Sequence, residues 1–432
     1  MATESSVTSI RVRMYRHGFG DCFLLSFFHA RKRVFSMLVD CGLRHGTRSE
    51  EVPIEDVIAD LKKTLTVSGG QPKLDVLVAT HEHWDHISFF HPEKYPDLFA
   101  EFEIGQVWLA WTEDPKDKEA TAINSRLREG VAALQVAVAG LKESQELEAM
   151  RFSGLHFGAD VTAARESFNA SLENVLDFYG VTSRSKVSRS GIRYKPKGKV
   201  SVETEVAINH ISELGRNGGG IHYLSPGTMV SPKSVPAGVN IYVLGPPRSS
   251  RINKSRPSTR KGKPVETYLS IDDSGLRGFV DGLLQLGAEQ SSSTNVPEEA
   301  RRRHTGPFHA SVGLSPEKAR DEFPWLEQTY FRPDEEYRRI EHNWMDIAGQ
   351  FALQLDGAIN NTSLVLAIEL AESGKVLLFP GDAQVGSWLS WHDHTWKVKR
   401  ASGTEEVTAE QLLNNTVLYK VSHHGSHNAT IR

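Results

Sequence analysis

Apolar and polar positions alternate at the start of the chain. Ile10, Val12 and Met14 fall on one side and Arg11 and Arg13 on the other, which predicts a half-exposed strand. Gly18-Phe19-Gly20 reads as a turn. Phe23 to Phe28 and Val34 to Val39 read as two more strands, the second ending at Asp40-Cys41-Gly42. Pro53 opens a helix with Ile54, Val57, Ile58 and Leu61 on one face. Leu74 to Ala79 is a short, nearly continuous apolar run, the pattern of a buried strand, and Ile104 to Trp111 is another strand. Alternating strands and helices predict mixed α/β layers.

The pattern changes at Thr112. Leu127, Val131, Leu134, Val138 and Leu141 recur at steps of four and three, as do Phe168, Leu172, Val175 and Tyr179. These predict two helices paired through a narrow apolar seam. Two acid-free basic stretches follow, one with Arg184, Lys186, Arg189, Arg193, Lys195, Lys197 and Lys199, the other from Arg248 to Lys263. Such segments read as solvated and flexible. Val239 to Leu244 is a strand between them, and 285–305 a polar loop. Tyr337 to Leu355 predicts a helix; Ser363 to Leu370, Val376 to Phe379 and Val417 to Val421 predict the last strands.

A chain of 432 residues can hold one core domain and a sizeable insertion. The net charge of -4 selects no class of partner, so a nucleic-acid footprint would have to be local. The only two cysteines, Cys22 and Cys41, cannot form a disulfide framework and read as a reduced pair. Residues 1–9 lack the pattern of a signal peptide, and no apolar run could span a bilayer. A cytoplasmic protein without a membrane partner is expected.

The strongest chemical signal is His81-Glu82-His83-Trp84-Asp85-His86, directly after an apolar strand. A side-chain period of two puts His81 and His83 on one side of an extended segment, where they can share a metal. Asp85 and His86 follow as the chain turns and can reach a second metal. Imidazole and carboxylate donors without cysteine suit Zn²⁺, with Mn or Fe also compatible. His392 and His394, beside Trp391 and Trp396, read instead as an aromatic loop.

This motif resembles that of the metallo-β-lactamase superfamily. The resemblance implies a four-layer αββα sandwich with two metals at the edge where its sheets meet. Gly18 to Leu25 and Val39 to Gly42 look like the opening strands, with Asp40 holding the histidine loop in shape. Leu377 to Asp382 looks like the strand whose terminal aspartate bridges both metals. Val421-Ser422-His423-His424-Gly425-Ser426 and Asn360 to Val365 resemble the ComEC-like branch. The ligand in the first of these is either His423 or His424, with His424 otherwise facing substrate. Where other branches carry a further histidine this chain has none, and water or Asn361 would complete the first metal. The likeness covers roughly 8–111 and 336–430, which makes 8–111 and 336–432 the two halves of the domain and 112–335 a partly helical, partly disordered insertion. The chain ends shortly after His424, where the family fold normally continues, so a C-terminal truncation is expected.

The resemblance implies a hydrolase in which a metal-bound hydroxide attacks carbonyl or phosphorus, with Asp85 and Asp382 orienting it and accepting its proton. The basic stretches favour a phosphodiester substrate, possibly nucleic acid. The alternatives are a small ester, lactone or thioester, and a non-catalytic binding or regulatory protein with an incomplete centre. Oligomeric state is left open.

Overall fold

The computed structural model describes residues 6–67, 69–96, 98–128, 130, 131, 134, 173–180, 202–231, 233–248, 316–329, 332, 355–400 and 403–421. Val138, Leu141, Phe168 and Leu172 of the expected helical seam lie outside these residues. So do the first basic stretch, the second beyond Arg248, the loop 285–305, the helix expected over 337–355 apart from Leu355, and both His423 and His424.

The fold is mixed α/β. Strands β1 (Ser9–Met14), β2 (Cys22–His29) and β3 (Lys32–Cys41) form an antiparallel meander. Helix α1 (Ile54–Leu65) leads to β4 (Lys73–Val78), which pairs parallel with β3. The short α2 (Trp84–Ile87) lies between β4 and β5 (Glu103–Ala110). Helix α3 (Glu203–Asn217) then feeds β6 (Ile221–Leu224), completing a six-stranded sheet in chain order. A second sheet has the order β12–β9–β8–β7, built from β7 (Val239–Gly245), β8 (Val365–Leu370), β9 (Lys375–Phe379) and β12 (Thr416–Tyr419). Helices α5 (Val385–Trp391) and α6 (Ala409–Asn414) flank a hairpin of β10 (Thr395–Arg400) and β11 (Gly403–Thr408).

The period of two explains the continuous apolar run in β2. Leu24 faces a core shared with Ile54, Val57, Ile58 and Leu61 of α1 and Ala207, Ile208 and Ile211 of α3. Phe23, Leu25 and Phe27 face the other way, onto Ile241, Val243, Leu366 and Ile368 of the second sheet. In β7 the intervening Tyr242 and Leu244 meet Trp388 and Trp391 of α5 and Leu412 of α6. A strand buried on both faces has no polar side to show in its sequence.

Contacts divide the chain into one unit of Met1–Arg128, Val175–Ser270 and Gln354–Arg432 and another of Glu129–Asn174 and Ile271–Leu353. Within the second unit, α4 (Pro316–Glu322) is followed by a 3-10 turn, Pro324–Gln328, and Arg320 pairs with Glu327 at 2.8 Å. The segment 112–335 is therefore not one inserted block, because α3, β6 and β7 build the first unit. The sequence pattern above does not predict α3, whose Ala207, Ile208, Ile211 and Leu214 face the core, nor the four-residue β6 or the β10–β11 hairpin. Tyr179, expected on a helix seam, instead sits in the turn after helical residues 173–177.

Among the described residues, no helix is long and apolar enough to cross a membrane. Cys22 and Cys41 are register partners on β2 and β3, both buried and both free thiols.

Candidate metal centre

The histidine segment leaves β4 at its carboxyl end, beside the carboxyl end of β3, while Asp382 follows β9 and Lys420 follows β12. Open α/β sheets gather their ligand groups at the carboxyl ends of parallel strands. His81, His83, Asp85, His86 and Asp382 are each at most 1% exposed.

Asp40, next to last in β3, is in the left-handed region, with φ +57°, a conformation that non-glycine residues keep only where the surroundings enforce it. Here the surroundings are its own bonds. Its Oδ1 accepts from the Thr80 backbone N–H at 2.8 Å, and its Oδ2 accepts from the Thr80 hydroxyl at 2.8 Å. The same Oδ2 lies 2.8 Å from His86 Nδ1, so His86 Nε2 is turned toward Asp382, 3.3 Å from its Oδ2. A carboxylate behind one imidazole nitrogen fixes the ring and presents the other nitrogen as a ligand.

Glycines bring the loops together. A β-carbon at Gly42 would lie 2.5 Å from the His86 backbone nitrogen, so only glycine lets the end of β3 rest on the Asp85–His86 peptide. Gly381, at φ +57°, makes the turn that delivers Asp382, whose N–H donates to Ser363 Oγ at 3.1 Å.

His81 Nε2 lies 3.0 Å from His83 Nδ1, and the ligand atoms of His81, His86 and Asp382 all fall within 4.8 Å of one another. A second such group is Asp21, Asp40 and His86. Asp85 belongs to neither group, although it is fully buried. His83 turns its Nε2 toward Asp356 Oδ1, 3.7 Å away. Asn361 is buried, and its side-chain oxygen has no hydrogen-bond partner among the described residues.

Burial, with His86 and His83 beside it, holds the His81 pKa well below that of a free imidazole, in the neutral form that binds metal. Burial also works against a proton on His86, but Asp382, Asp40 and Asp21 outweigh it and raise that pKa well above the ordinary value. A divalent cation can replace that proton as the positive charge among the carboxylates. Converging imidazoles, surrounding carboxylates and the unpaired Asn361 oxygen fit a metal ion.

Several residues of the site carried no sequence signal. Asp21, at the foot of β2, and Lys420 are both buried and form an ion pair; Lys420 Nζ also lies 3.4 Å from Asp382 Oδ1. Tyr179 and Phe178 pack their rings on His83, with centroids 5.7 and 5.5 Å away. Trp84 is buried, with His45 stacked at 5.3 Å and Lys94 Nζ 4.4 Å from its ring centroid. Asp177 holds His45 at 2.6 Å and Arg44 at 3.0 Å. Glu82 pairs with Arg128, which also pairs with Glu205 at 3.1 Å. An acid facing away from the two histidines thereby ties the motif to its neighbours. His392 is exposed, and His394 lies against Gly227.

Comparison of the chain with family models, curated proteins and solved structures returned no match.

Proposed function

We propose that this chain is a metal-dependent hydrolase of the metallo-β-lactamase fold, acting on a phosphodiester. The observation that carries the reading is the convergence of His81, His86 and Asp382, with Asp40 behind the far nitrogen of His86. The succession of a helical face, two sheets with a shared core, and a second helical face supports the four-layer αββα arrangement. The phosphodiester rests on the likeness of Asn360–Val365 and Val421–Ser426 to the ComEC-like branch and on the two basic stretches.

His81, His83, Asp85, His86 and Asp382 would hold two zinc ions, or Mn or Fe, with Asn361 and one of His423 and His424 completing them. A bound divalent ion supplies a Lewis acid and lowers the pKa of water toward about 7. The protein does the rest. Burial keeps His81 neutral, and Asp40 aims His86. Phe178 and Tyr179 cover the His83 side and exclude water. Asp85 and Asp382 orient the attacking water and accept its proton, and whichever of His423 and His424 is not a ligand would contact substrate. Lys420 balances the charge of Asp21 and Asp382, so the acids need not be neutralised by protons.

The same position of Lys420 favours a second reading, a binding protein with an incomplete centre, because a fixed ammonium already neutralises part of the carboxylate charge. Elemental analysis of purified protein, beside a His83→Ala, Asp85→Ala variant, separates the two. About two metals per wild-type chain, lost in the variant, together with turnover of a phosphodiester reporter, support the hydrolase. Turnover of a lactone or thioester instead moves the substrate to carbonyl chemistry. At most one metal per chain, unchanged in the variant and without turnover, overturns the hydrolase reading.

A further inference from the structure

Helix α1 covers only part of its side of the six-stranded sheet. Beyond its last turn, the outer face of β1 and β2 carries cations beside its apolar residues. Ile10 and Val12 pack into the core between the sheets, so the period of two turns Arg11 and Arg13 to the opposite, α1 side. With Arg31, Lys32 and Arg33 around the β2–β3 turn, they line a concave pocket of about 400 Å³. Leu24, Phe28 and Val67 supply apolar wall, and Ser26 and Thr64 are polar groups on its lining.

Two of the guanidiniums are fixed in place. Arg13 pairs with Asp60 and donates to Thr64 Oγ1 at 2.8 Å. Arg33 donates to the backbone oxygens of Thr64 and Leu65, capping the end of α1. A third, Arg11, sits 5.2 Å over the Phe28 ring. Charge is far from balanced. Asp60 is already taken by Arg13, and among the described residues no carboxylate lies within ion-pair distance of Arg11, Arg31, Lys32 or Arg33. Partial burial lowers the Arg33 pKa, and the charge of Asp75 offsets this only in part. Cations braced before binding lose little freedom when an anion arrives. The fork of an arginine matches phosphate oxygens bidentately, and the volume is within the range of small-molecule sites.

We propose that the pocket between the end of α1 and the β1–β3 meander binds a small organic molecule carrying two or more phosphate charges. The unpaired cations take the phosphates, and Phe28 and Val67 take the organic part. Arg33 and Asp40 lie about 23 Å apart along β3 at the usual rise per residue, so this pocket is distinct from the metal centre. The inference does not rest on the hydrolase reading.

The test is calorimetric titration of the full chain with ADP and with pyrophosphate, at low and raised salt. The variants are Arg11→Ala, Arg31→Ala together, and separately His83→Ala. Arg11 and Arg31 are exposed and make no ion pair or side-chain hydrogen bond among the described residues, so the double variant is expected to fold and to keep the wild-type metal content. Saturable ADP binding, tighter than pyrophosphate, weakened at least about tenfold by the double variant and by salt and kept in His83→Ala, is the expected result. Four results would overturn the proposal: no saturable binding at millimolar ADP, pyrophosphate binding as tightly as ADP, affinity unchanged in the double variant, or binding lost in His83→Ala.

Discussion

The ammonium of Lys420 lies 3.4 Å from Asp382 Oδ1, buried, while the other oxygen of Asp382 faces His86 Nε2. The two oxygens of one carboxylate are thus divided between a fixed cation and the histidine cluster. Burial alone would strip the proton from Lys420, but Asp21 and Asp382 more than compensate and raise its pKa. Lys420→Met leaves two buried carboxylates without their cation, a loss of about 3–5 kcal/mol for a broken buried pair. Thermal unfolding and metal content should both fall. If neither moves, Lys420 has no part in the site.

Asp40→Asn keeps a side chain that tolerates the left-handed conformation and can still accept from Thr80, but removes the charge behind His86. The expected outcome is an intact fold with metal affinity lowered about 10–100-fold, read by competition with a chelator. Unchanged affinity would mean that Asp40 serves the backbone turn alone.

Gly42→Ala tests the close approach under the histidine loop. With backbone on the far side of the contact, nothing can rotate away, so the loop must shift. Loss of stability and of metal together is expected, with unfolding midpoints and elemental analysis as readouts. A fully stable, metal-replete variant would contradict the packing of Gly42 on Asp85 and His86.

Glu369 receives Arg400 at 2.6 Å, the Tyr242 hydroxyl at 2.6 Å and Asn240 at 2.9 Å. Burial raises its pKa, but these donors outweigh burial and hold it below the ordinary value. A carboxyl depressed in the folded state stabilises above its unfolded pKa of about 4.3, and the contribution is lost as pH falls through the lower folded value. Glu369→Gln should therefore cost about 1–3 kcal/mol at neutral pH, with the gap to wild type closing below about pH 4. Denaturant unfolding across pH checks this; a constant gap would place the effect in packing.

Burial, followed by the neighbouring Cys41 thiol, pushes the Cys22 thiol well above its ordinary pKa. Neither cysteine should react with a thiol reagent in native protein at neutral pH, and both should react after denaturation. Rapid native labelling would show that the β2–β3 register is open to solvent.

Sequence by itself determined β1 to β5 of the first sheet, α1 and its buried face, and the position of the histidine segment after a buried strand. These are local properties, because periodicity, turn residues and ligand spacing are written over a few consecutive positions. It also marked Asp40, Asp382 and Asn361 as companions of that segment, though only through likeness to a family motif. Tertiary structure alone decided that α3, β6 and β7 belong to the same unit as the ends of the chain. It alone brought Asp382 to His86, and it alone recruited Asp21, Lys420, Phe178 and Tyr179. Those contacts join residues far apart in the chain, and the sequence around each is that of an ordinary strand end, turn or helix. Charge pairing across two sheets has no local pattern to read, since its energy depends on burial and distance, which exist only once the sheets have packed.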